Sequence, residues 1–169
     1  MVMIVSVAIV LATVIAMEGF AYVTHRYVMH GPLGWGWHRS HHEETKGPFE
    51  RNDLYAVVFS AVSAVFIMAG SFGVWPLTEI GIGFIVYGFL YFVVHDGFVH
   101  ERWPFRYVPK RGYLKRLVQA HKMHHAVEGR DGCVSFGFLY APPIADLKAD
   151  LKAKRTLARE RAERPSVRA

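Results

Sequence analysis

Residues 38–42 read HRSHH and residues 121–125 read HKMHH, two copies of His-x2-His-His in a chain that holds 10 histidines. Each copy is preceded by His-x4-His: His25 and His30 in HRYVMH, His95 and His100 in HDGFVH. Seven residues separate the two elements in the first copy and twenty in the second, and no histidine is left over. Imidazole in this number favours a borderline transition metal such as iron, copper, zinc or nickel. Ten ligands exceed the positions of one ion, so two ions are the economical count. On an α-helix, positions i, i+3 and i+4 fall within an arc of ~100°. The triads His38, His41, His42 and His121, His124, His125 can therefore each present three imidazoles on one face. The i and i+5 members of each His-x4-His pair lie ~140° apart and ~7.5 Å apart along an ideal axis. They are expected to serve different metals, or to straddle a frayed helix end, with "HGP" after His30 and Gly97 as sources of distortion.

The bundle proteins that bind two metals through Glu-x-x-His motifs have no counterpart in this sequence. The nearby carboxylates Glu43, Glu44, Asp96 and Glu101 are instead expected to accept hydrogen bonds from imidazole N–H groups. Asp96 is foremost, being an acid beside His95 at the end of an apolar run. No side chain outside the metal site is assigned a catalytic part.

The elements that must carry these residues are apolar. Hydrophobic residues form 52% of the chain and are concentrated in runs. Residues 1–17 are uncharged, Leu54–Trp75 is a 22-residue run without charge, and Ile80–Val94 is uncharged up to His95. About 20 helical residues cross a ~30 Å hydrocarbon layer, so helices are expected at about 2–24, 54–75 and 80–99. A soluble chain this short could hardly cover two such runs. The start lacks the basic stretch and cleavage site of a signal peptide, and it reads as a retained first span. The fold class is all-α: an integral membrane helical bundle of three to four transmembrane or membrane-embedded helices, with a His-rich two-metal site at the cytosolic face. Residues 1–145 form the membrane-embedded domain and 146–169 a basic C-terminal tail.

All 20 Lys and Arg fall within Arg26–Arg51 and Arg102–Arg168, which lie on one side of the three spans. The positive-inside rule makes that side cytoplasmic and places the N-terminus outside. The net charge of +6 then reflects topology and anionic lipid rather than nucleic acid. Trp35, Trp37, Trp75 and Trp103 are expected at helix ends, at the interface. Cys133, the single cysteine, excludes an intrachain disulfide.

Histidine motifs of this kind at the ends of membrane helices resemble the fatty acid hydroxylase and sterol desaturase superfamily of membrane di-iron enzymes. The likeness is closest to its bacterial beta-carotene 3-hydroxylase branch. It is carried by HRYVMHGPLGWGWHRSHH, FERNDLYAVVF, HDGFVHERWPFRYVPKRGYLKRL and AHKMHHAVEGRDGCVSFGFLYAPP, and it covers about residues 18–143. The resemblance implies two iron ions, replaceable by zinc in purified protein, held by the ten histidines. It implies O2 as co-substrate and electrons from a reduced ferredoxin. The implied reaction hydroxylates carbon 3 of a β-ionone ring of a carotenoid drawn from the bilayer, turning beta-carotene into zeaxanthin via beta-cryptoxanthin. Some members accept the 4-keto ring, converting canthaxanthin to astaxanthin. The implied location is a bacterial inner membrane. Sterol or fatty acyl substrates are the alternative within the enzymes, and a His-rich zinc-binding membrane protein the alternative outside them.

Other segments are less specific. Gly81, Gly83 and Gly88 are expected to permit close helix contact. SFGFLYAPP, 135–143, is too short to span as a helix and is expected to be a buried or interfacial segment closing the site. PKRGYLKRL, 109–117, suits either lipid headgroups or an acidic ferredoxin. The tail from Asp146 has 8 Lys or Arg against 4 acids and only a thin stripe of leucines. It suits either a solvated tail or a membrane-surface helix.

Overall fold

The computed structural model describes residues 1–43, 49–102 and 107–163. Glu44 and Trp103 lie outside the described residues. The described chain is helical: α1 (Val2–Met29), α2 (Trp35–His42), α3 (Asp53–Ser71), α4 (Leu77–Val99), α5 (Gly112–His124) and α6 (Ile144–Glu163). The helices α1, α3 and α4 are long and apolar enough to cross a membrane. Only 6% of the apolar window of α1 and of α3, and 22% of that of α4, is buried. Their hydrophobic side chains, among them Ile15, Val57 and Phe89, point outward. Lipid must replace water on that surface. The molecule is an integral membrane helical bundle.

The middle element is α4, flanked by α1 and α3. Glycines make the contacts close. A Cβ on Gly81 would meet Ser63 and Ile67 of α3, and one on Gly83 would meet Thr13 of α1. Ser63 Oγ donates to the Gly81 carbonyl at 2.8 Å, which seats a buried hydroxyl without leaving it unpaired. At the far end of the bundle from the histidines, Ser6 of α1 donates to Glu79 of α4. Gly88 differs from the other two: nothing lies within 4 Å of its hypothetical Cβ. It serves no helix contact.

The two histidine-bearing helix ends depart from α geometry. Thr24–Met29 and Phe92–Val99 are π-helical turns, with i→i+5 bonds from His30 N to His25 O and from His100 N to His95 O, both 3.0 Å. The first span therefore runs past residue 24 to Met29. Beyond these ends, α2, α5 and α6 cap the bundle. The amphipathic α5 buries Leu117, Val118 and Ala120 beside His121 and His124. Leu147 and Leu151 of α6 join Leu117, Ala120, Val94 and Val134 in one core cluster, while Leu157 stays exposed. Trp37 and Trp75 are exposed at helix ends, whereas Trp35 turns inward and packs against His30 and His42.

Candidate metal centre

All ten histidines converge at one end of the bundle. Ligand-capable atoms of His25, His30, His38 and His124 lie within 4.8 Å of one another, as do those of His41, His95, His100 and His121. The ring of His42 stands against the first group, 5.0 Å from His38 and from His124. His125 stands against the second, 4.7 Å from His41 and from His121. His42 and His125 stack on each other at 4.6 Å, where the two groups meet.

The grouping inverts the expectation from ideal helices. Each His-x4-His pair is kept together rather than divided, with ring centroids 5.2 Å apart for His25 and His30 and 4.6 Å for His95 and His100. The cause is the π turn, whose i→i+5 repeat sets residue i+5 over residue i. Each His-x2-His-His triad is divided instead. His38 faces the first group and His41 the second; His124 faces the first and His121 the second. The triads share one helix face, but that face fronts the boundary between the groups.

The outer ring nitrogens establish which tautomer is present. His25 Nδ1 faces the Phe136 carbonyl at 2.9 Å, His30 Nδ1 that of Arg130 at 2.7 Å, and His124 Nδ1 that of Val134 at 3.0 Å. His42 Nδ1 faces the Val127 carbonyl at 3.1 Å. His38 Nδ1 meets Asn52 Oδ1, His41 Nδ1 meets Glu50 and His95 Nδ1 meets Asp96, at 2.7, 2.7 and 2.8 Å. The carbonyl and amide oxygens only accept, as do Glu50 and Asp96 in their ionised form, so each Nδ1 carries the hydrogen and donates it. Each Nε2 is then a bare lone pair.

Those lone pairs point at one another. Nε2 atoms of His25 and His38, of His30 and His124, and of His30 and His38 are 3.1, 3.1 and 3.2 Å apart. In the second group the His41–His95 and His121–His125 separations are both 2.9 Å. No hydrogen remains to bridge the pairs whose Nδ1 atoms donate. A metal ~2.1 Å from each nitrogen would hold neighbouring nitrogens ~3.0 Å apart at a right angle and ~3.4 Å at a tetrahedral one. The observed separations fit that requirement. Nε2 of His42 and of His100 are buried and without a hydrogen-bond partner among the described residues, as further ligand positions would be.

Electrostatics favours the same state. Burial pushes His38 down to about 3, His42 and His100 to about 4, and His125 to about 2. Burial and the surrounding imidazoles hold His41, His121 and His124 well below the ordinary range. Neutral imidazole is the ligand form. Arg102 gathers the carboxylates beside the second group: its guanidinium donates to both Asp53 oxygens at 2.9 and 2.8 Å, and lies 3.4 Å from Glu50 and 3.7 Å from Asp96. Burial raises Glu50 to about 7 against the opposing pull of Arg102.

Of the acids singled out in the sequence, Asp96 touches an imidazole. Glu43 pairs with Arg39 at 2.7 Å on the surface, and Glu101 lies 4.0 Å from Lys122. Glu50, Asn52 and Arg102 were not singled out. Glu50 and Asn52 lie in FERNDLYAVVF and Arg102 in HDGFVHERWPF, stretches that carry the family resemblance, and that was the available signal. The backbone carbonyls of residues 127–136 had none.

An apolar cavity of about 160 Å³, continued by an open mouth, lies among α1, α3 and α4 at the histidine end of the bundle. Its inner wall includes Phe138, Tyr91 and Asp96. The Phe138 ring stacks 4.9 Å from His25, and Tyr91 stacks 4.4 Å from His95. One side-chain layer thus separates the cavity from both groups. The exposed lining residues Ala56, Gly88 and Phe92 lie on α3 and α4 within their spans, so the mouth faces lipid.

The fatty acid hydroxylase family profile matches residues 10–144. The chain is 64% identical to the beta-carotene hydroxylase of Pantoea ananas, over 86% of this chain and 83% of that protein. It is 59% identical to that of Paracoccus sp. (strain PC1), over 94% and 97%. It is 36% identical to the chloroplastic beta-carotene 3-hydroxylase of Haematococcus lacustris, over 79% and 42%. No solved structure matches the chain. With four-fifths of its length matched and its histidines converging in groups that could hold a metal ion, the chain belongs to the fatty acid hydroxylase family, among the bacterial proteins named beta-carotene hydroxylase.

Proposed function

We propose that this protein is a membrane hydroxylase that uses two iron ions and O2 to hydroxylate carbon 3 of a carotenoid β-ionone ring. Beta-carotene would give zeaxanthin through beta-cryptoxanthin. The observation that carries this reading is the apolar cavity that opens to lipid and ends one side-chain layer from both histidine groups. A bilayer-dissolved rod can enter there without crossing water. High identity to proteins named beta-carotene hydroxylase supports the choice of substrate.

His25, His30, His38, His42 and His124 would hold one ion, and His41, His95, His100, His121 and His125 the other. Iron supplies the oxidising power that an unactivated C–H bond requires and that side chains lack. The chain's own residues do the rest. Asn52, Glu50, Asp96 and carbonyls within residues 127–136 fix seven of the imidazoles, those of His25, His30, His38, His41, His42, His95 and His124, by their Nδ1–H. Phe138, Tyr91 and Tyr87 shape the ring end of the cavity and exclude water from it. The remainder of the polyene stays in the bilayer.

In the sequence, the basic stretches Arg26–Arg51 and Arg102–Arg168 both adjoin the histidine-bearing ends of the apolar spans. By the positive-inside rule those ends face the cytoplasm of a bacterial inner membrane. A reduced ferredoxin would deliver electrons there. Residues 1–145 would carry the chemistry, and 146–169 no catalytic group.

The test is pigment chromatography with mass detection on bacteria that make beta-carotene and express this chain. A known hydroxylase run in parallel shows that the host supplies electrons. Products gaining one and two oxygens, absent in His124→Ala, are expected, and canthaxanthin-producing cells should yield astaxanthin. Unchanged beta-carotene, with the protein in the membrane and the control active, would overturn the substrate and move sterols and acyl chains forward. Iron-dependent O2 consumption separates this reading from a zinc-binding membrane protein.

A further inference from the structure

Glu18 is the one charged residue between Met1 and Thr24, and it sits within the first span, two turns before His25. An unpartnered carboxylate there would be costly. Glu18 has partners from the far end of the sequence. The backbone N–H groups of Phe138, Leu139 and Tyr140 donate to it at 3.0, 3.1 and 3.0 Å, and Tyr87 Oη–H donates at 2.8 Å. Three consecutive amides converging on one anion form a nest. Approach is close enough to need glycine beside it: a Cβ on Gly137 would stand 2.7 Å from Glu18 Oε1 and 2.6 Å from the Tyr140 carbonyl.

The same non-helical segment turns its carbonyls to the histidines. Val134 accepts from His124 and Phe136 from His25. Irregular backbone at membrane depth persists only where its polar groups are satisfied within the protein, and Glu18 satisfies three of these. The second histidine group meets this segment only through the Phe138 ring, 5.3 Å from His95 and 6.1 Å from His121, and takes its Nδ1 partners elsewhere, with His41 held by Glu50 and His95 by Asp96. Neither acid belongs to this segment.

We infer that Glu18 is a positioning residue for one histidine group alone: by anchoring residues 138–140 it fixes the carbonyls that orient His25 and His124. The inference rests on the reading of the two groups as metal sites. The two sites then share support at the start of α3, where Asn52 holds His38 and Glu50 holds His41, and differ in that the first alone takes Nδ1 partners from the carbonyls of Val134 and Phe136.

The test is Co2+ titration of the purified full-length protein in detergent, followed by visible absorption and metal-to-protein ratio. Helix content by circular dichroism is recorded in parallel. Wild type should bind two ions. Glu18→Ala, with helix content kept, should bind one tightly and the other at least about tenfold more weakly, the range seen when a partner of a ligand is removed. Gly137→Ala perturbs the contact from the other side and should give the same single-site loss, and it decides the matter if Glu18→Ala does not fold. Two tight ions in either folded variant would overturn the inference. So would loss of both ions, since that marks a general structural role. A wild type that binds none would overturn the metal-site reading itself, and the inference with it.

Discussion

Asn52→Leu removes one hydrogen-bond acceptor from the metal centre and little else. Asn52 occupies the N-cap position of α3 but makes no side-chain cap bond. Its Oδ1 accepts from His38 Nδ1 at 2.7 Å, and the residue is 4% exposed. The backbone N–H of Asn52, which donates to Ser40 Oγ, survives the change. Leucine has a similar volume, so the principal loss is the partner of a buried donor, worth ~1–3 kcal/mol. In the metal-free protein the His38 ring can turn to find another acceptor, whereas a bound metal forbids that rotation. The penalty therefore falls mainly on the bound state, and ~1–3 kcal/mol corresponds to about 5- to 150-fold in affinity. Competition for Co2+ against a calibrated chelator measures it. Asn52→Asp, which keeps an acceptor in place, should stay close to wild type. Affinity of Asn52→Leu within about twofold of wild type would refute the argument that Nδ1 partners hold these imidazoles in their ligand orientation.

Gly88→Leu should fold normally, since nothing lies within 4 Å of its Cβ, yet it fills the mouth of the cavity. The added side chain would occupy the substrate's path and appear as a fall in carotenoid turnover, with thermal midpoint and metal content unchanged; unchanged turnover would exclude this route. Gly81→Ala should instead lower the thermal midpoint, because its Cβ meets Ser63 and Ile67, and overpacking there costs ~1–3 kcal/mol in stability. Chelation should lower the midpoint as well, since converging Nε2 lone pairs then repel without a cation between them. The metal-free protein should also weaken in acid. His42 and His100 are held at about 4 and His38 at about 3 when folded, against ~6.5 when unfolded. The unfolded chain thus binds more protons below ~6.5, so stability rises with pH there and falls as pH drops from about 6.5 toward 4. A flat denaturant midpoint across that window would contradict the burial of these rings.

The helical class, the three spans and the set of ten histidines are legible in the sequence because each is a local property. A long uncharged run needs no partner to be recognised, and the duplicated spacing has no leftover histidine. Which imidazole joins which group was decided by the tertiary structure. Ideal α periodicity separates His25 from His30, but a π turn brings them together, and such a turn has no residue signature as firm as a proline or a cap. The partners of the imidazoles were also beyond local reading. His25 is held by a carbonyl 111 residues away, and every residue offers a carbonyl, so nothing in composition or spacing marks Phe136 for the task. Glu18 was visible as a charge that interrupts an apolar run. Only the fold, by bringing residues 138–140 and Tyr87 to it, turns that interruption into an anchor, because a carboxylate within a membrane is tolerable only once donors from elsewhere in the chain surround it.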